Sequence, residues 1–144
     1  MELHGPGGER REVTVFLSEC APGRAGAETV SDLLSSAEPF FPARDHADDT
    51  ISFVNRAAVA FARVARSVEV ASAEDSGETE HEVEVTLLGG GAIRGVVSYL
   101  LAPGHSRVGD FLNLPGPFFR LLASPDELLL VNKQHVARVT LVSP

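Results

Sequence analysis

Apolar and polar residues alternate along several short stretches of this chain. Val13, Val15 and Leu17 share one face of residues 11–18, and Val83, Val85 and Leu87 share one face of residues 82–88. Alternation with a period of two over so few residues predicts strands. Gly89-Gly90-Gly91 predicts a hairpin turn into a further strand over 92–101. Apolar runs separated by turn residues continue the pattern, with strands expected over 39–44 and 50–55 around the polar turn Asp45–Asp49. The later runs predict strands over 118–123, 128–132 and 136–142, with Ser124-Pro125-Asp126-Glu127 and Lys133-Gln134-His135 as the tight turns between them. Short helical turns are expected over 30–36, capped by Thr29 or Ser31, and over 107–112. Leu114-Pro115-Gly116-Pro117 forces a break.

Residues 59–71 carry a conflict. Their alanines favour helix by propensity. The matching segment Val136–Val142 is short and rich in β-branched residues, which favours strand. The match takes precedence, and 59–71 is expected to be mostly strand. The sum is an all-β chain with minor helix.

The match belongs to an internal repeat. Asp32 is followed eight positions on by Phe40-Phe41, and Asp110 eight positions on by Phe118-Phe119. Each Phe pair leads to Val-Asn and a basic residue, Val54-Asn55-Arg56 and Val131-Asn132-Lys133. Ala62-Arg63-Val64 and Ala137-Arg138-Val139 close the copies. Self-similarity decides the fold reading, because a repeated unit is a structural module. Residues 1–9, polar and rich in Gly and Pro, read as a flexible arm. Residues 10–72 read as a first module, 73–81 as an acidic linker and 82–144 as a second module. From Val15 to Asp32 the first copy is eight residues shorter than the second from Val85 to Asp110. It is therefore expected to be trimmed at its opening hairpin. Modules of about sixty residues lie near the lower limit for a self-sufficient core, so they are expected to pack on each other or on another subunit.

Charge narrows the partners. The net charge is −8, and six acids fall between residues 73 and 84 with no Lys or Arg among them. Outside that stretch 14 acids face 12 bases, and no basic stripe offers the phosphate contacts that a general nucleic-acid binder needs. Eleven of the basic residues are Arg and alanine is abundant, the coding bias of a GC-rich bacterium. Cys20 is the only cysteine, which excludes an intrachain disulfide and fits a reducing compartment. No apolar run approaches membrane-spanning length, and the chain is expected to be cytoplasmic.

The second copy resembles the Sm-like family of small β-barrels, including the bacterial Hfq type. The resemblance rests on Val83, Val85, Leu87, Gly90, Ile93 and Gly95 and on the closing segment Leu130–Val139. It covers residues 82–142, and the first copy joins it through its likeness to the second. It implies two tandem Sm-like or SH3-like modules, self-associating as a dimer or a trimer. It also implies RNA binding near Asp110, Asn113, Lys133 and His135. Here Gln134 separates Lys133 from His135, and the first copy has Arg56-Ala57-Ala58 at that turn.

The candidate chemistry is sparse. Asp45, His46, Asp48 and Asp49 form the densest set of metal-type ligands, and a solvated turn explains them equally. Cys20 has no cation beside it in sequence to activate it. No nucleophile elbow, phosphate loop or His-x-x-x-His spacing is present, so no enzyme and no cofactor is expected. In a strand one residue of each Phe pair, Phe40 with Phe41 and Phe118 with Phe119, faces the core. The other faces out and needs a cover. Asn55 and Asn132 each precede a turn and are expected to bond its backbone. These features predict a non-enzymatic interaction or scaffold module with an unidentified protein partner. An RNA-binding regulator and a small-ligand or metal binder are the alternatives.

Overall fold

The computed structural model describes residues 1–17, 28–66, 79–99 and 107–142. Cys20 and three of the acids of the expected linker, Glu74, Asp75 and Glu78, lie outside the described residues. Among the described residues ten strands form one antiparallel sheet: β1 (Glu2–His4), β2 (Arg10–Val15), β3 (Phe40–Asp45), β4 (Ile51–Asn55), β5 (Phe61–Ala65), β6 (Thr79–Leu87), β7 (Ala92–Tyr99), β8 (Phe118–Ser124), β9 (Glu127–Asn132) and β10 (Val136–Leu141). Among the described residues the helical content is small: α1 (Val30–Leu34), α2 (Val108–Leu112) and 3-10 turns at Arg56–Ala58 and Lys133–His135. The chain is all-β; of the run 59–71, Phe61–Ala65 is strand and residues 67–71 lie outside the described residues. Pairing on both sides of β5 outweighs the modest helix propensity of alanine.

The strand order β10-β6-β7-β8-β9-β5-β1-β2-β3-β4 contains one order twice. In each half the fifth strand lies beside the first, followed by the second, third and fourth. Each half has its own buried cluster. Leu3, Val13, Leu34, Phe41 and Ala62 belong to the first core, and Val83, Val85, Val97, Phe119 and Leu121 to the second. Ladder registers fix the correspondence. Phe40 lies opposite Asn55, and Phe118 opposite Asn132. Leu3 lies opposite Ala62, and Val85 opposite Val139. The N–H of Arg56 donates to the Pro39 carbonyl, and the N–H of Lys133 donates to the Pro117 carbonyl, each at 2.8 Å.

This correspondence corrects three expectations. Residues 1–9 are not an arm, since Glu2–His4 is a strand paired on both sides and Leu3 is buried. A three-residue strand with one inward side chain is too short to show alternation, and its Gly-Pro-Gly-Gly turn resembles a loose terminus. The first half is therefore not trimmed: its opening hairpin is β1–β2, and Val13 and Val15 belong to a second strand, not a first. The two Ala-Arg-Val triplets are not equivalent either, because Ala62 corresponds to Val139, a shift of two positions. The second half also opens at Thr79, inside the expected linker, and Glu80 and Glu82 lie exposed on β6.

Local chemistry accounts for the turns. Thr29 caps α1: its hydroxyl accepts from the N–H of Asp32 at 3.1 Å, while its own N–H donates to the Asp32 carboxylate at 2.9 Å. Gly90 and Gly91 have φ of 96° and 82°, the left-handed region where glycine carries no side-chain penalty. Gly95 is required for packing, since a Cβ there would lie 2.6 Å from the Leu122 carbonyl oxygen and 2.7 Å from Cγ of Leu121. It lets β7 cross β8 closely.

Candidate interaction edges

The junction between the halves is an antiparallel pairing of β5 with β9. Phe61 lies opposite Val131, Ala62 opposite Leu130, Arg63 opposite Leu129 and Val64 opposite Leu128. The side chains cross over. Leu128 and Leu130 from the second half are buried in the first core, and Ala60 and Phe61 from the first half are buried in the second. Asn132 locks one end: its N–H donates to the Ala60 carbonyl at 2.9 Å, and its Nδ2 to the Val59 carbonyl at 3.0 Å. The His135 ring nitrogen donates to the Ala57 carbonyl. At the other end Arg63 pairs with Glu127 at 2.6 Å. A Cβ on Gly89 would strike the Pro6 carbonyl, so the two hairpin turns also touch across the junction.

The same two kinds of edge recur, open, at the ends of the sheet. β4 corresponds to β9 and β10 to β5, and among the described residues each end strand pairs on one side only. Leu128 and Leu130 are 4% and 0% exposed, whereas their counterparts Ile51 and Phe53 are 55% and 70% exposed. Asn132 is buried and Asn55 exposed. Val64 is buried, and its counterpart Leu141 is 48% exposed. An open strand with apolar side chains and unpaired backbone groups is a template for another strand. Beside β4 lies a cleft of about 270 Å³ whose walls include Leu3, Val13, Ser52, Val54 and Asp45.

The Phe pairs behave as their alternation predicts. Phe41 and Phe119 are buried in the two cores. Phe118 is half-buried against the first core, so the neighbouring half covers it. Phe40 is 51% exposed. Asn55 and Asn132 both cap their turns, accepting from the N–H groups of Ala57 and Gln134 at 2.9 and 3.0 Å. The second, buried bond of Asn132 needed the tertiary structure to reveal it.

The residues singled out for RNA are engaged within the fold. Lys133 donates from Nζ to the Leu114 carbonyl, and desolvation lowers its pKa. Its counterpart Arg56 donates from Nε to the Leu33 carbonyl at 2.9 Å and lies 5.5 Å from the centre of the Phe41 ring. Desolvation lowers the pKa of Arg56 as well. Asp110 accepts from the N–H of Arg107 at 3.3 Å at the start of α2, and Asn113 ends that helix.

The Asp45–Asp49 cluster is engaged with its own turn and with the neighbouring strands β2 and β3. Asp45 is buried, accepts from Arg11 at 3.0 Å and from the N–H of Ala47 at 2.9 Å. His46 pairs with the Thr14 hydroxyl at 2.7 Å. The Thr50 hydroxyl, at 2.6 Å, holds Asp48 below its ordinary pKa, aided by the Thr50 N–H. Asp49 has φ of 59° and lies 3.6 Å from Arg44. Among the described residues no three His, Cys, Asp or Glu side chains converge as metal ligands. Among them, too, no helix is long and apolar enough to cross a membrane. Compared with family models, curated proteins and solved structures, the chain matches none.

Proposed function

We propose that this protein is a non-enzymatic, self-associating interaction module of the bacterial cytoplasm, built from two tandem Sm-like small-barrel units. The observation that carries the reading is the contrast between β4 and β9. One strand type is buried where a neighbouring half is present and exposes Ile51 and Phe53 where none is. The recurrence of one strand order in both halves supports the tandem-unit part of the reading. Placement of Arg56, Lys133 and Asp110 in structural bonds favours protein interaction over RNA recognition.

Light scattering at micromolar concentration tests the reading. The expected mass is a multiple of 15.3 kDa, and Phe53→Lys is expected to lower it. A mass equal to one chain for the unaltered protein would reject self-association. Gel shift with U-rich and A-rich RNA at low salt is expected to show no retardation, and tight binding would return the RNA reading to first place.

A further inference from the structure

We propose that the junction between the halves binds a divalent transition-metal ion through the imidazoles of His4 and His135. His4 ends β1 in the first half, and His135 ends the 3-10 turn before β10 in the second. Both line one cavity of about 150 Å³ between the hairpin turns that touch at Pro6 and Gly89, with Phe61 and Leu87 also in its wall. The site is internal to one chain and does not depend on self-association.

Hydrogen bonding assigns the tautomers. Nε2 of His4 meets the Glu2 carboxylate, and Nε2 of His135 meets the Ala57 carbonyl. An ionised carboxylate and a carbonyl only accept, so each Nε2 carries the proton, and the Nδ1 lone pair of the neutral ring is left for a ligand. Neither Nδ1 has a hydrogen-bond partner among the described residues. One ring N–H held by a carboxylate or a backbone carbonyl is the support that orients a metal-ligating histidine and raises its basicity. Here one ring has each kind. Glu2 is itself held, with Nε of Arg63 at 3.4 Å and Nε of Arg10 at 3.8 Å. Phe61 stacks on the His4 ring at 4.1 Å and 14°, which fixes the ring plane and leaves its edge, where the nitrogen lone pairs lie. His46 and His81 differ: one pairs with Thr14, the other stacks on Tyr99 at 6.3 Å, and neither lines this cavity. Two imidazoles suit Zn²⁺ or Ni²⁺, whereas Mg²⁺ takes oxygen ligands. The cavity has room for the waters that complete the coordination. An ion held from both halves favours the folded state and strengthens their pairing.

Calorimetry with Zn²⁺ and Ni²⁺ on a Cys20→Ser chain tests the site. One ion per chain and a raised thermal midpoint are expected, with no response to Mg²⁺. Glu2→Gln keeps both ligands and should weaken binding by about 10–100-fold, as loss of a supporting carboxylate does. His4→Gln and His135→Gln should each weaken it further, and His46→Gln and His81→Gln should leave it unchanged. Undiminished binding in the His4→Gln, His135→Gln double variant would overturn the site, as would no heat with either ion. Long-range ¹⁵N–¹H spectra of the Cys20→Ser chain read the site with every histidine in place, whether or not those variants fold. The Nδ1 signals of His4 and His135 should shift on adding Zn²⁺, and a shift confined to other histidines would overturn the assignment.

Discussion

Strands β4 and β9 hold corresponding places in the two halves, yet their sequences meet different surroundings. In β9, Leu128, Leu129, Leu130 and Val131 are all buried, because one face packs on each core. In β4, Ile51-Ser52-Phe53 is exposed along its length. The local chemistry is shared: both strands end in an Asn that caps a 3-10 turn, and both are followed by a basic residue bonded to a carbonyl. Burial here comes from having a neighbour and not from the strand itself. Ser52 standing where β9 has Leu129 is the one clear polar concession to the open edge.

Substitutions at paired positions sharpen this contrast. Leu130→Ala should have the largest effect, a loss of about 2–5 kcal/mol in chemical denaturation, because it empties a fully buried site. If Phe53→Ala at a concentration where the chain is single costs as much, the two strands do not differ as described. Gly95→Val should cost about 1–3 kcal/mol, since the new side chain meets the β8 backbone. That value marks how tightly the second half is packed without touching the junction. Asn132→Ala removes both a cap and a buried bond across the junction, and about 1–3 kcal/mol should be lost in the same assay. Asn55→Ala removes a cap alone, and about 1 kcal/mol should be lost.

The smallest effect concerns acid. A hydrogen bond from His4 holds Glu2 below its ordinary value of 4.5, with smaller contributions from His4, Arg10 and Arg63 charges. A carboxylate with a depressed folded-state pKa adds stability that is complete above its unfolded value and is lost as pH falls through the folded one. The thermal midpoint should therefore decline as pH falls below 4.5, and Glu2→Gln should flatten that decline. An equally steep acid decline in Glu2→Gln would assign the effect to another carboxylate.

Legibility differed by element. Hairpin β6–β7 was readable because nine- and eight-residue strands show alternation and flank a glycine turn. Hairpin β1–β2 was not, because three residues carry no period and Leu3 is the only inward side chain. That omission displaced the alignment of the first half and made it look incomplete. Among the candidate site residues, the Phe pairs and the capping asparagines could be assigned from alternation and turn chemistry. The metal-type cluster misled because acids that tie a turn together look, in sequence, like ligands. Ile51 and Phe53 raised no signal, since an exposed edge strand and a buried one have the same apolar run.

The sequence by itself determined the all-β character, the turns and the recurrence of the Phe-Phe and Val-Asn motifs. These follow from side-chain period, glycine and proline constraints and self-similarity, all of which act within a few residues. Only the tertiary structure decided which strand of one half meets which strand of the other. It alone revealed that β5 and β9 share their cores and that β4 and β10 are the open edges among the described residues. Strand neighbours are chosen by long-range pairing and by the apolar surface it buries. Nothing within a five-residue segment records which partner that will be.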